Sequence, residues 1–169
     1  MRRRSLVLPL LAMPLLAMPF LAEPVVALAQ PGQIEVEQVW SRAAPQGRVG
    51  VLYMTVTDHG APDRLVGVET PVAEKAELHE SFAEGGVMKM RPVAAAPVEP
   101  GKPLVLKPGG YHVMLMGLRR TLKEGDEFPA TIRFAQAGAV SVTAHVAKAG
   151  AAAPPGAAEM GRDHGAMSH

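Results

Sequence analysis

The sequence predicts an all-β protein, an antiparallel sandwich or barrel in a single domain. Three observations predict it. From Ile34 to Lys148, short strand-like runs recur, punctuated by Gly, Pro and Asp. No segment keeps a helical period over three turns. The 169 residues contain no cysteine, so a disulfide framework, a thiolate metal site and a cysteine nucleophile are all excluded.

The strands are predicted in order. Ile34–Trp40 comes first and ends at the Ala43–Gly47 turn. Gly50–Asp58 follows, closed by His59–Asp63. Arg64–Glu69 comes next, and Thr70–Glu77 has room for one short helical turn before Lys75–Phe82. Glu84-Gly85-Gly86 then reverses the chain into Val87–Val93. Pro103–Leu106 sits between Pro100-Gly101 and Pro108-Gly109-Gly110. Tyr111–Leu118 leads to the turn Glu124-Gly125-Asp126. Glu127–Phe134 and Ala139–Val146 follow, with the turn signal Gln136–Gly138 between them.

The two ends read differently. Arg2, Arg3 and Arg4 precede an apolar stretch from Leu6 to Leu21, and Ala27-Leu28-Ala29 has the small-x-small form of a cleavage site. Residues 1–29 are therefore expected to be a signal peptide, cut before Gln30, which places the protein outside a reducing cytoplasm. Pro9, Pro14, Pro19 and Glu23 argue against a stable membrane span. Residues 30–149 form the predicted domain. Residues 150–169 read as an Ala/Pro/Gly-rich linker with a tail bearing Met160, His164, Met167 and His169.

Charge excludes some partners. There are 17 basic and 16 acidic residues; without residues 1–29 the balance is 14 to 15. No broad basic surface invites nucleic acid. An exported chain without cysteine must rest on its core, and any metal chemistry must use His and Met.

Strand alternation groups the polar chemistry. In Tyr111–Leu118, Tyr111, Val113 and Leu115 make a core face, and His112, Met114 and Met116 lie opposite. In Lys75–Phe82, His79 shares the wetter side with Lys75, Glu77 and Ser81. In Val87–Val93, Met88 and Met90 oppose Lys89 and Arg91. Thioether sulfur is a soft, uncharged donor suited to Cu(I), and neutral imidazole binds several transition metals. A His/Met set without carboxylate or thiolate disfavours Ca, Mg and structural Zn. The bland alternative is that Met in a strand is core filler and a lone His is structural. Alternation alone leaves both readings open. His59 reads as loop, and His145 as a last-strand residue without a partner motif.

The spacing resembles the periplasmic copper chaperones of the PCuAC family. Their motif is a His, ten residues, a Met, twenty-one residues, then His-x-Met. Here His79, Met90, His112 and Met114 stand at those positions. The flanking runs Glu77-Leu78-His79-Glu80, Val87-Met88-Lys89-Met90-Arg91-Pro92 and Lys107-Pro108-Gly109-Gly110-Tyr111-His112 are similar too. The resemblance covers about Ile34 to Val146. It implies a cupredoxin-like β-sandwich binding Cu(I) through those four residues. It also implies delivery of copper towards cytochrome c oxidase assembly, to an oxidase subunit or a second copper chaperone. Met88 and Met116 are off the motif, as accessory donors or packing. The tail residues Met160, His164, Met167 and His169 resemble the His/Met extension of some members, and imidazoles there suit Cu(II).

The expected protein is thus a monomeric copper carrier, not an enzyme. Its rivals are a copper-storage or resistance protein, towards which the tail leans, and a redox protein. Blue copper wants a cysteine thiolate, which the chain lacks. A mature N-terminus at Gln30 does not supply the N-terminal His of a copper monooxygenase.

Overall fold

The computed structural model describes residues 34–156, and they form ten strands with no helix among them. No helix long and apolar enough to cross a membrane is present among the described residues. The strands are β1 (Ile34–Arg42), β2 (Gly50–Asp58), β3 (Asp63–Glu69), β4 (Ala73–Glu84), β5 (Val87–Pro92), β6 (Ala96–Val98), β7 (Leu104–Leu106), β8 (Tyr111–Leu118), β9 (Glu127–Phe134) and β10 (Gly138–Ala147). Nine of them answer the nine predicted runs.

Hydrogen bonding orders them β5-β4-β8-β2-β1-β10-β9-β3-β6, with β7 added to β2. The ladder is antiparallel except where β1 runs parallel to β10, Trp40 opposite His145. The path folds into a cupredoxin-like β-sandwich. Leu52, Met54, Leu78, Val113 and Leu115 meet Leu65, Phe128, Ile132, Phe134 and Val146 in one buried cluster. Along β2, β8 and β9 these residues fall at every second position, as two packed sheets require.

Two local departures from the expected elements have physical causes. The helical turn allowed for Thr70–Glu77 is absent. Pro71-Val72 make a tight turn, and β4 starts at Ala73 because Val72 and Ala73 are drawn into the core. The strand β6 was not foreseen. Pro97 within it cannot donate to a ladder, which confines such a residue to a sheet edge. There it pairs opposite Arg64, while Ala96 and Val98 are buried.

A bulge marks β1. Between Glu37 and Trp40 three steps on β1 face two on β2, Thr55 to Tyr53, and Gln38 takes φ 49°. The extra residue re-aims Trp40. Its ring lies 4.6 Å from that of Tyr53, on the face of β2 opposite Leu52 and Met54. Ala147 and Ala151 close this second, smaller cluster. Arg42 Nε donates to the Ala151 carbonyl at 2.7 Å. Ala151, read from sequence as linker, is thus fastened to the sandwich.

Candidate metal centre

The site is built where β5, β4 and β8 run side by side. Directly opposed residues share a face. Along one face the rows are Lys75 with Met116, Glu77 with Met114, His79 with His112 and Pro92, Ser81 with Met90, and Ala83 with Met88. Every His and Met singled out in residues 75–116 is therefore on a single face. The opposite face holds Ala76, Leu78, Val113 and Leu115, which fill the core.

Each side chain has a local reason for its place. Gly85 and Gly86, at φ 61° and 79°, form the two-residue reversal that joins β4 to β5. Both central residues of such a turn need positive φ. That turn sets the register that puts Met90 opposite Ser81. The Lys107–Gly110 turn leads into β8, and the Gly110 carbonyl accepts from Ser81 N–H at 3.1 Å. The same carbonyl lies 3.0 Å from His112 Nδ1.

The two imidazoles are close, with ring centroids 5.9 Å apart and planes tilted by 39°. A nitrogen about 2 Å from an ion puts each ring centre about 3.2 Å from it. Two rings on one ion can thus lie up to roughly 6.4 Å apart, and these lie within that limit. His112 is 5 % exposed, and the His79 side chain 14 %. His79 is half-buried on the side of β4 that also carries exposed Lys75, while Leu78 on the other side is buried, so it occupies the wetter of the two sides, as read from sequence.

A carboxylate also lies beside the His/Met set. Glu77 Oε2 lies 3.4 Å from His79 Nε2. Lys75 is ion-paired to its other oxygen. Lys75 first, and His79 second, hold the Glu77 carboxyl below the usual carboxylate range. The signal was readable: in Glu77-Leu78-His79 the acid and the imidazole are two apart, hence on one face of a strand. His79 Nδ1 is buried with no hydrogen-bond partner. Among the described residues no group of three or more His, Cys, Asp or Glu is placed to hold a metal.

The methionines are unequal. Met114 is half-buried on β8, next along its face from His112. Met90 flanks His79 diagonally from the edge strand and is 61 % exposed. On an untwisted sheet, the Cα atoms of Met90 and Met114 would be roughly 16 Å apart, two strands over and four residues along. Two extended methionines with metal–sulfur bonds of about 2.3 Å span about 13 Å. Met88 lies one row farther out than Met90, opposite Ala83, and Met116 one row beyond Met114, opposite Lys75. Met160, His164, Met167 and His169 fall outside the described residues. His59 and His145 are remote from this face and pair with Glu35 and Glu127.

Residues 34–146 match the family model described as "Putative lipoprotein LpqE-like". The chain belongs to the LpqE-like family. A curated relative, "Putative lipoprotein Lxx21020" of Leifsonia xyli subsp. xyli, is 29 % identical over 106 residues, which are 62 % of this chain and 64 % of that protein. The chain thus spans under two thirds of that relative. Solved structures carry the same fold. The copper-bound PCuAC domain from PmoF2 is 28 % identical with a TM-score of 0.59, over 69 % of this chain and 94 % of that one. The apo PCuAC domain from PmoF1 is 27 % identical at TM-score 0.60, over 69 % and 95 %. The solution structure of apo-DR1885 from Deinococcus radiodurans is 28 % identical at 0.51, over 86 % and 97 %. The PCuAC resemblance and the cupredoxin-like fold expected from sequence are borne out by these structures.

Proposed function

We propose that this LpqE-like protein is a copper carrier that holds Cu(I) on the β5-β4-β8 face and passes it to an acceptor protein. The observation that carries the proposal is that face itself. It puts His79 and His112 in register, 5.9 Å apart between ring centres, with Met114 and Met90 on either side of their row. A relative with the same fold is copper-bound. Soft, neutral donors fit a monovalent ion of low charge density.

His79, His112 and Met114 make the compact part of the donor set. Met90 completes it when the exposed β4–β5 hairpin bends over the face. Neutral ligands leave the ion its own charge, which suits exchange rather than permanent storage. Transfer proceeds by ligand exchange, an acceptor atom entering as a thioether leaves. Acid releases the ion, because an imidazole must be neutral to bind it. We place this carriage in the periplasm on the strength of the N-terminal 29 residues, with the copper centres of cytochrome c oxidase as the destination.

A Cu(I) competition titration tests the site. His79→Ala and Met114→Ala are each expected to weaken binding by at least tenfold, about 1.4 kcal/mol; unchanged affinity would sink the assignment. X-ray absorption of the Cu(I)-loaded protein counts the donors. Two sulfur and two nitrogen neighbours support Met90 as a fourth ligand, and one sulfur with two nitrogens removes it. For the destination, gene deletion should cost oxidase activity and added copper should restore it. Copper sensitivity with intact oxidase would argue for sequestration instead.

A further inference from the structure

Which ring nitrogen of each histidine faces the ion is decided by what holds the other one. A backbone carbonyl can only accept a hydrogen bond. His112 Nδ1, 3.0 Å from the Gly110 carbonyl, must therefore carry the proton, and Nε2 keeps the lone pair. For His79 the order is reversed. Its Nε2 lies 3.4 Å from Glu77 Oε2, and an ionised carboxylate also only accepts. The proton belongs on Nε2. The lone pair then sits on Nδ1, the atom that is buried without any partner. A buried acceptor without a partner is costly, and an ion bound at that lone pair would satisfy it.

We infer that Glu77 is a positioning residue that fixes the His79 tautomer, so that His79 binds the ion through Nδ1 while His112 binds through Nε2. This rests on the copper reading above. Lys75 holds the other oxygen of Glu77, which fixes the carboxylate in turn. The chain of contacts runs Lys75, Glu77, His79 along one strand face, and every member comes from β4. The second imidazole is oriented by the backbone alone. Outer partners of this kind are worth roughly 10–100-fold in metal affinity.

Nitrogen-15 NMR of the histidine side chains reads the tautomer directly, with and without Cu(I). In the apo protein His79 is expected as the Nε2–H form and His112 as the Nδ1–H form. Cu(I) should then shift His79 Nδ1 and His112 Nε2. Glu77→Ala is expected to move His79 towards the Nδ1–H form and weaken Cu(I) binding by roughly 10–100-fold. Glu77→Gln keeps an acceptor oxygen and is expected to retain the tautomer and most of the affinity. An Nδ1–H form of His79 in the native protein, or a copper shift at His79 Nε2, overturns the inference. So does Glu77→Ala with tautomer and affinity unchanged. A separate outcome bears on the function itself: no copper-induced shift at either ring would overturn the copper reading, while leaving the Glu77–His79 contact as the apo spectra find it.

Discussion

At the scale of single residues, exposure ranks the thioethers. Met90 is 61 % exposed at the sheet edge, and Met114 is half-buried beside His112. Met90→Ala is expected to weaken Cu(I) binding less than Met114→Ala in the same titration, and Met88→Ala less than either. Equal losses for Met88 and Met90 would show that the hairpin delivers either sulfur. Peroxide treatment adds a check: mass spectrometry is expected to find sulfoxide at Met88 and Met90 before Met114, since susceptibility follows exposure. Much at this scale was legible in the sequence. Alternation puts His112, Met114 and Met116 on one side of a strand, because side chains reverse at every step. It does not say what lies over that side. His112 was read from alternation, opposite the core face of its strand, and is itself buried, because burial depends on the neighbouring strands. The partner of His79 was missed although Glu77 is two residues away, because soft-metal chemistry singles out His and Met and passes over the carboxylate that accepts from a ligand's ring N–H.

At the scale of elements, Asp63 shows how one side chain joins strands far apart in sequence. Its Oδ1 accepts from the N–H groups of Arg64 and Gln136, at 2.7 and 2.9 Å, and Oδ2 from Ala137 at 2.8 Å. It thereby ties the start of β3 to the turn between β9 and β10. Burial alone would raise this carboxyl. The N–H groups of Ala137, Arg64, Gln136 and Ala135 together outweigh burial and hold it below its ordinary value. A depressed folded-state pKa gives stability that is present above the unfolded value and lost as pH falls through the folded one. Asp63→Asn is therefore expected to lower stability at neutral pH by about 1–3 kcal/mol. Denaturant midpoints measured against pH should find the gap between native and variant closing below about pH 4. A gap independent of pH would mean that the charge is not what matters. The sequence marked His59–Asp63 only as a turn, because a clamp that spans more than seventy residues leaves no local trace. The short strand β6 escaped for a related reason: Ala96-Pro97-Val98 has weak strand character, and its place is given by β3.

At the scale of the whole molecule, the sandwich was legible because two-residue periodicity and turn chemistry agree along nearly its full length. What the sequence left open was which strands are neighbours. The metal face depends on that: β4 and β5 are joined by a hairpin, but β8 comes alongside β4 only through the fold. The core that forces this pairing includes Leu78 opposite Val113 and Ala76 opposite Leu115. Leu115 is fully buried, and Leu115→Ala is expected to cost about 2–5 kcal/mol in chemical denaturation. Since Leu115 points away from Met114, Cu(I) affinity of the folded variant should change little. A loss of affinity equal to that of Met114→Ala would mean that the site and the core are a single unit.

The parallel pairing of β1 with β10 has a consequence for timing. The first described strand lies beside the last, Trp40 against His145, so their contact spans most of the domain. Contacts so distant along the chain are made late, and sheets built on them fold in milliseconds to seconds rather than microseconds. A growing chain cannot complete the sandwich until β10 has emerged. Until then β8 can meet β4, but β1 lacks the neighbour that joins the two sheets. The β5-β4-β8 face is thus assembled from the middle of the sequence and locked by the first and last described strands, and only a complete domain presents it in finished form.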